Sequence, residues 1–126
     1  QVQLCFEPPT TAIPFVKTGK LRALAITSPK RNAALPDTPA VAELLPGYDG
    51  DGWQGFYVPA STPKDIVARF NTEIVKVLRQ ADVQRKLIEL GLQPVGNSVE
   101  EFAGISRTEY DKWSRIAKAN NIRIDS

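Results

Sequence analysis

The sequence holds no histidine and a single cysteine, Cys5, and these two shortages remove much chemistry. Without histidine, neither a Ser-His-Asp triad nor a Cys-His pair can be assembled, and a zinc site loses its commonest nitrogen ligand. One cysteine cannot close an intrachain disulfide, so cysteine usage does not reveal the redox compartment. Cys5 lies in an apolar pattern with no local base or cation to favour its thiolate, and it reads as a small buried hydrophobe. Long apolar runs are lacking as well: nothing approaches the roughly 18 residues that a membrane helix needs, and no basic-then-apolar signal segment opens the chain. The chain begins at Gln1 without methionine, so either a leader has been removed or the N-terminal part of a longer protein is missing. Nor is there an excess of one charge. Sixteen basic residues against fourteen acidic give +2, and they are scattered, which is not the electrostatic footprint of a nucleic-acid binder. No nucleic acid, cofactor or metal is expected.

What is present is ordinary for a globular domain: 126 residues, 42% hydrophobic and 24% charged, enough for one modest core. Strand and helix signals alternate. Val2, Leu4 and Phe6 alternate with other residues, giving a strand, and Thr10 or Thr11 then caps a short helix running to about Thr18. Pro14 is tolerable there only because it lies in the first turn. Gly19 suits a left-handed C-terminal position. Leu21 to Thr27, "LRALAIT", is apolar on both faces apart from Arg22, as in a strand covered on both sides. The three elements make a strand, helix, strand unit with a right-handed crossover.

Residues 28–39 read as a loop, Thr38 and Pro39 as a helix start continued from Ala40 to Leu45, and "PGYDGDG" as a linker. "WQGFYV" reads as a third strand. From Thr62 the pattern turns helical, with Ile66, Val67, Phe70, Ile74, Val77 and Leu78 along one face. A second helix from about Asp82 buries Val83, Leu87 and Leu90 and stops at Gly91; Leu92 to Val95 suit a short strand. Ser98 with Glu101 forms a capping box for a last helix that presents Phe102, Ile105, Trp113, Ile116 and Ala117 and exits at Asn120 and Asn121. Ile122 to Ile124 read as a tail or edge strand.

In an open parallel sheet, ligands sit beyond the carboxyl ends of strands, where the next helix points unpaired N–H groups outward. The turn from Phe6 to Ala12 occupies such a place. Its candidate binding residues are Phe6, Glu7, Pro8, Thr10, Thr11 and Ala12. The threonines offer hydroxyls, and the helix start favours a carboxylate; the same threonines could equally serve only to cap the helix. Glu7 would repel an acid unless it faces away or meets an ammonium group, as an amino acid supplies, and it also reads as a solvated loop charge. Lys17 and Lys20 complement the far end of the helix. Trp53, Phe56 and Tyr57 read as packing residues or as the lining of a cleft, Trp113 as core, and Arg31 as a loop anchor pairing with Asp37 in preference to a ligand contact.

Several blocks, "FVKTGKLRALAIT", "LPDTPAVAEL", "GWQGFYVPASTPKDIVARFNTEI" and "VGNSVEEF", occur in order at sensible spacing. Together they resemble the second half of the Bug receptors, the extracytoplasmic substrate-binding components of tripartite tricarboxylate transporters. The resemblance implies an α/β, type II periplasmic-binding-protein-like architecture of two lobes, represented only by its C-terminal half. Residues 1–46 would close one lobe, 47–53 would cross between lobes, and 54–126 would return to the other. It implies a periplasmic receptor, not an enzyme, that captures a small organic acid (a di- or tricarboxylate, an amino acid or an aromatic acid) for membrane transporter subunits. It also implies that the isolated fragment associates or swaps elements with another copy. The alternative is a small α/β enzyme or subunit using Cys5 or Glu7 at a strand end, which the missing histidine, metal clusters and P-loop disfavour.

Overall fold

The computed structural model of the 126-residue chain describes residues 2–123. Four α-helices order it: α1 (Pro9–Lys17), α2 (Lys64–Leu78), α3 (Ala81–Glu89) and α4 (Val99–Ala119), with a short 3-10 turn at Val41–Glu43 between α1 and α2. The residues fall into two compact units. One comprises Gln1–Gln54 with Val77–Val95, the other Gly55–Lys76 with the segment from Gly96 onward.

The helix ends form as local chemistry dictates. After α1 the Gly19 N–H donates to the Val16 carbonyl and the Lys20 N–H to the Phe15 carbonyl, and Gly19 takes φ +72. That paired closure needs a left-handed residue, for which glycine carries no Cβ penalty. Gly91 repeats it after α3, and Asn121, at φ 53, repeats it after α4. At the start of α4 the Glu101 N–H donates to Ser98 Oγ (3.1 Å) and the Ser98 N–H to Glu101 Oε2 (2.9 Å), so the capping box is complete.

The start of α1 departs from expectation. Pro8, at φ −58 and ψ 144, is the cap residue, and no side chain caps the helix. Thr10 and Thr11 lie inside the first turn, where the Thr11 and Ala12 N–H groups both donate to the Pro8 carbonyl at 3.0 Å. The fixed φ of two successive prolines places the helix start two or three residues earlier than the threonines would. Pro14 therefore falls beyond the first turn and has no N–H to give the Thr10 carbonyl.

The expected strands at Val2 to Phe6, Leu21 to Thr27, Trp53 to Val58 and Leu92 to Val95 are not paired as ladders among the described residues. Pairing is confined to one parallel bridge, Ile26 with Ala40, closed by Ile26 N–H to Pro39 O (2.8 Å) and Val41 N–H to Ile26 O (2.9 Å). A strand exists only with a neighbour, and beyond that one bridge these segments find none within the described chain. Ile122 and Arg123 lie outside any strand, and Ile124 is outside the described residues.

Burial follows the same division. Ile13 (2% exposed) and Ala40 (1%) are buried apolar residues of the first unit. Along α2 the half-buried side is Val67, Asn71, Ile74 and Leu78, whereas Ile66, Phe70 and Val77, expected inside, are exposed. Leu90, Ile105, Trp113 and Ile116 are exposed too, as are Trp53, Phe56 and Tyr57. Trp113 is not a core residue here: its indole N–H donates to Glu109 Oε2 (2.8 Å), and Lys112 Nζ holds the other oxygen (2.9 Å). Tyr57 is exposed at its ring yet fixed, sharing a hydrogen bond with Ser106 (2.9 Å) and tilting over Phe102 at 5.4 Å. A Cβ at Gly55 would enter the Phe102 ring, so any larger residue here requires that ring to shift.

Candidate functional site

The turn Phe6–Ala12 is built by proline. Pro8 presets the extended entry to α1, Pro9 takes a first-turn position where no N–H is needed, and the Pro8 carbonyl gathers two amides. Among the first residues of α1 this leaves the Thr10 N–H without a backbone partner, at the positive end of a nine-residue helix. No side-chain hydrogen bond engages the Thr10 and Thr11 hydroxyls among the described residues. Thr11 is exposed, Thr10 and Ala12 half-buried. Phe6 (81% exposed), Glu7 and Pro8 face outward on the chain leading in. All six anticipated residues thus lie on one continuous turn, with donors at its helical end and a carboxylate, Glu7, at the other. Cys5 is exposed, against the expectation of burial, because the Val2 to Phe6 segment that carries it is unpaired.

The surroundings of this turn were not visible in the sequence. The Gly91 turn packs against α1: a Cβ at Gly91 would meet the Ile13 side chain, Pro9 Cβ (2.7 Å) and Asn32 Nδ2 (3.3 Å). Asn32 Nδ2 donates to the Gly91 carbonyl at 2.7 Å across 59 positions of sequence. Gly91 was legible as a helix stop, but nothing in the local pattern marks Asn32 as its partner.

Beside Asn32, Arg31 grips Glu43 rather than Asp37: Nε to Oε1 and Nη2 to Oε2, both 2.7 Å, with Nη1 on the Pro36 carbonyl at 3.1 Å. The 3-10 turn presents both Glu43 oxygens in the fork geometry that guanidinium matches, while Asp37 acts on Arg31 only through space. Arg31's hydrogen bonds, then the Ala40 N–H, hold the Glu43 carboxyl down to about 2, and the pair raises Arg31 further. Arg31 is therefore a loop brace, with Glu43 the partner that charge spacing alone did not single out. In the other unit, Ser114, Ala117, Lys118, Asn121, Ile122 and Arg123 line an open groove of about 410 Å³ at the C-terminal end of α4. It shares no residue with the candidate turn. No cluster of metal-ligating side chains occurs among the described residues, and no described helix is long and apolar enough to cross a membrane.

Comparison with known proteins bears on this geometry. A UPF0065 protein from the tcbD-tcbE intergenic region of a Pseudomonas species is 31% identical over 118 residues, 92% of this chain and 35% of its own length. A solved periplasmic transporter superposes with a TM-score of 0.83 at 34% identity, over 92% of this chain and 39% of the other. An R. palustris protein solved with adipate gives a TM-score of 0.78 at 32% identity, over 86% of this chain and 37% of the other. The chain thus spans little more than a third of the length of these proteins, and its fold is part of a periplasmic-binding-protein-like α/β architecture. Unpaired strand segments and exposed apolar helix faces accord with that partial coverage. The model of the tripartite tricarboxylate transporter family receptor matches residues 2–122, and the chain belongs to that receptor family.

Proposed function

We propose that this chain forms part of a periplasmic solute-binding receptor that captures a small carboxylate-bearing ligand for a tripartite tricarboxylate transporter. The observation that carries the reading is the R. palustris neighbour with adipate, similar over 86% of this chain. The family itself is one of transport receptors rather than enzymes. Within this reading the turn of Phe6, Glu7, Pro8, Thr10, Thr11 and Ala12 receives one ligand carboxylate on the free Thr10 N–H and the threonine hydroxyls, aided by the helix dipole. Glu7 then selects: it disfavours a purely anionic ligand lying close to it and favours one carrying an ammonium group. Residues 1–46 would close one lobe, 47–53 cross, and 54–126 return to the other, with membrane transporter subunits as partners of the complete receptor. Exposed Phe6, Phe56, Phe70 and Val95 support self-association of the chain on its own.

The test is calorimetric titration of a receptor polypeptide carrying this chain with adipate, citrate and glutamate. Binding of at least one, with a raised melting temperature, is the expected result. No heat from any of them, in a protein shown to be folded, contradicts the proposal.

A further inference from the structure

We infer that Asn32 and Gly91 are positioning residues for the ligand-binding turn, setting where the Thr10 N–H and the Thr11 hydroxyl stand. The inference rests on the binding role given above to that turn. Helix α1 is weakly held by its own bonds: no side chain caps it, and Pro14 leaves the Thr10 carbonyl without its helical donor. Its place is set by tertiary packing. Ile13, 2% exposed, and Pro9 rest on the Gly91 turn, whose left-handed backbone (φ +77) comes too close for any side chain.

That turn is fixed in turn by Asn32. Its amide is committed at both ends, the oxygen accepting from the Ala34 N–H at 2.9 Å and the nitrogen donating to the Gly91 carbonyl at 2.7 Å, so the bond to Ala34 orients the amide. The Leu35 N–H donates to the Asn32 carbonyl at 3.0 Å and anchors the loop. A hydrogen bond to a ligand tolerates only a few tenths of an ångström around 2.7–3.2 Å. Slippage of the Gly91 turn, carried to Pro9 and Ile13, therefore misplaces the donors one and two residues beyond Pro9.

The second unit supplies a matched control: Asn71 Nδ2 donates to the Asn97 carbonyl at 2.9 Å, the same chemistry with no bond to the Gly91 turn. In the receptor polypeptide, Asn32→Ala and Asn71→Ala should each lower the melting temperature, but only Asn32→Ala should weaken binding, by tenfold or more, of whichever of adipate, citrate or glutamate the wild type takes. Asn71→Ala should stay within twofold. Equal effects of the two on affinity, or no effect of Asn32→Ala, overturn the inference. Gly91→Ala provides a second route: affinity falls, and adding Ile13→Val, which deletes the methyl nearest the new Cβ, restores part of it. No restoration in a folded double variant also overturns it. A wild type that binds none of the three acids removes the functional reading itself. A wild type that binds while Thr11→Val binds equally well moves the site elsewhere and removes the positioning role with it.

Discussion

The seat of α1 and the helical face of the second unit solve the problem of order differently. Around α1, Ile13 is buried, Gly91 lets two backbones meet, and Asn32 ties segments 59 positions apart. In the second unit α2 and α4 contain no buried residue, and much of their definition is local: the Ser98–Glu101 box, the Asn121 closure, and the Lys112–Glu109 pair three residues apart. Its long-range ties include Tyr57 with Ser106 and Phe102, and Asn71 with Asn97. The contrast teaches that the candidate binding turn is placed by packing, and that α4 is placed largely by its own ends.

Four tests on the 126-residue chain probe that contrast. The largest effect belongs to Ile13→Ala, which should cost about 2–5 kcal/mol in denaturant unfolding through lost burial and a cavity, against under about 1 kcal/mol for the exposed Phe70→Ala. A reversed order would show that the first unit is not the better packed. Gly55→Ala comes next, at roughly 1–3 kcal/mol, because its Cβ would overlap the Phe102 ring; a folded variant of unchanged stability would contradict the Tyr57–Phe102 arrangement. Ser98→Ala should cost about 1 kcal/mol, while Thr11→Val should leave stability within about 0.5 kcal/mol, since its hydroxyl caps nothing. The smallest concerns pH. Glu43 has a folded value near 2 against an ordinary 4.5, so its contribution is present above 4.5 and is lost as pH falls towards 2. The melting-temperature gap between wild type and Glu43→Gln should accordingly be steady from neutral pH to about 5 and close below it, modestly, because the pair is solvent-exposed. A gap that widens on acidification contradicts the brace.

The helix ends were legible because their causes lie within a few residues: Gly19, Gly91, Asn121 and the Ser98 box are local devices. The start of α1 was misplaced by two or three residues because threonine capping and a proline pair compete for the same turn, and proline acts by fixing φ whatever follows. The strand segments were legible as patterns but not as ladders, since hydrogen-bond pairing depends on neighbours that the local sequence does not name. Phe70 illustrates the same limit on a helix: spacing showed an apolar stripe, not what covers it. Of the candidate turn, the six residues could be named from sequence. The Asn32–Gly91 tie could not, because contact across 59 positions leaves no periodic trace.

Whether the turn from Phe6 to Ala12 holds a ligand carboxylate is decided by calorimetric titration of the receptor polypeptide and its Thr11→Val variant with the acid that the wild type binds. The Thr11→Val variant should lose about 1 kcal/mol or more in binding free energy with melting temperature unchanged. An unchanged dissociation constant in a folded variant would contradict it.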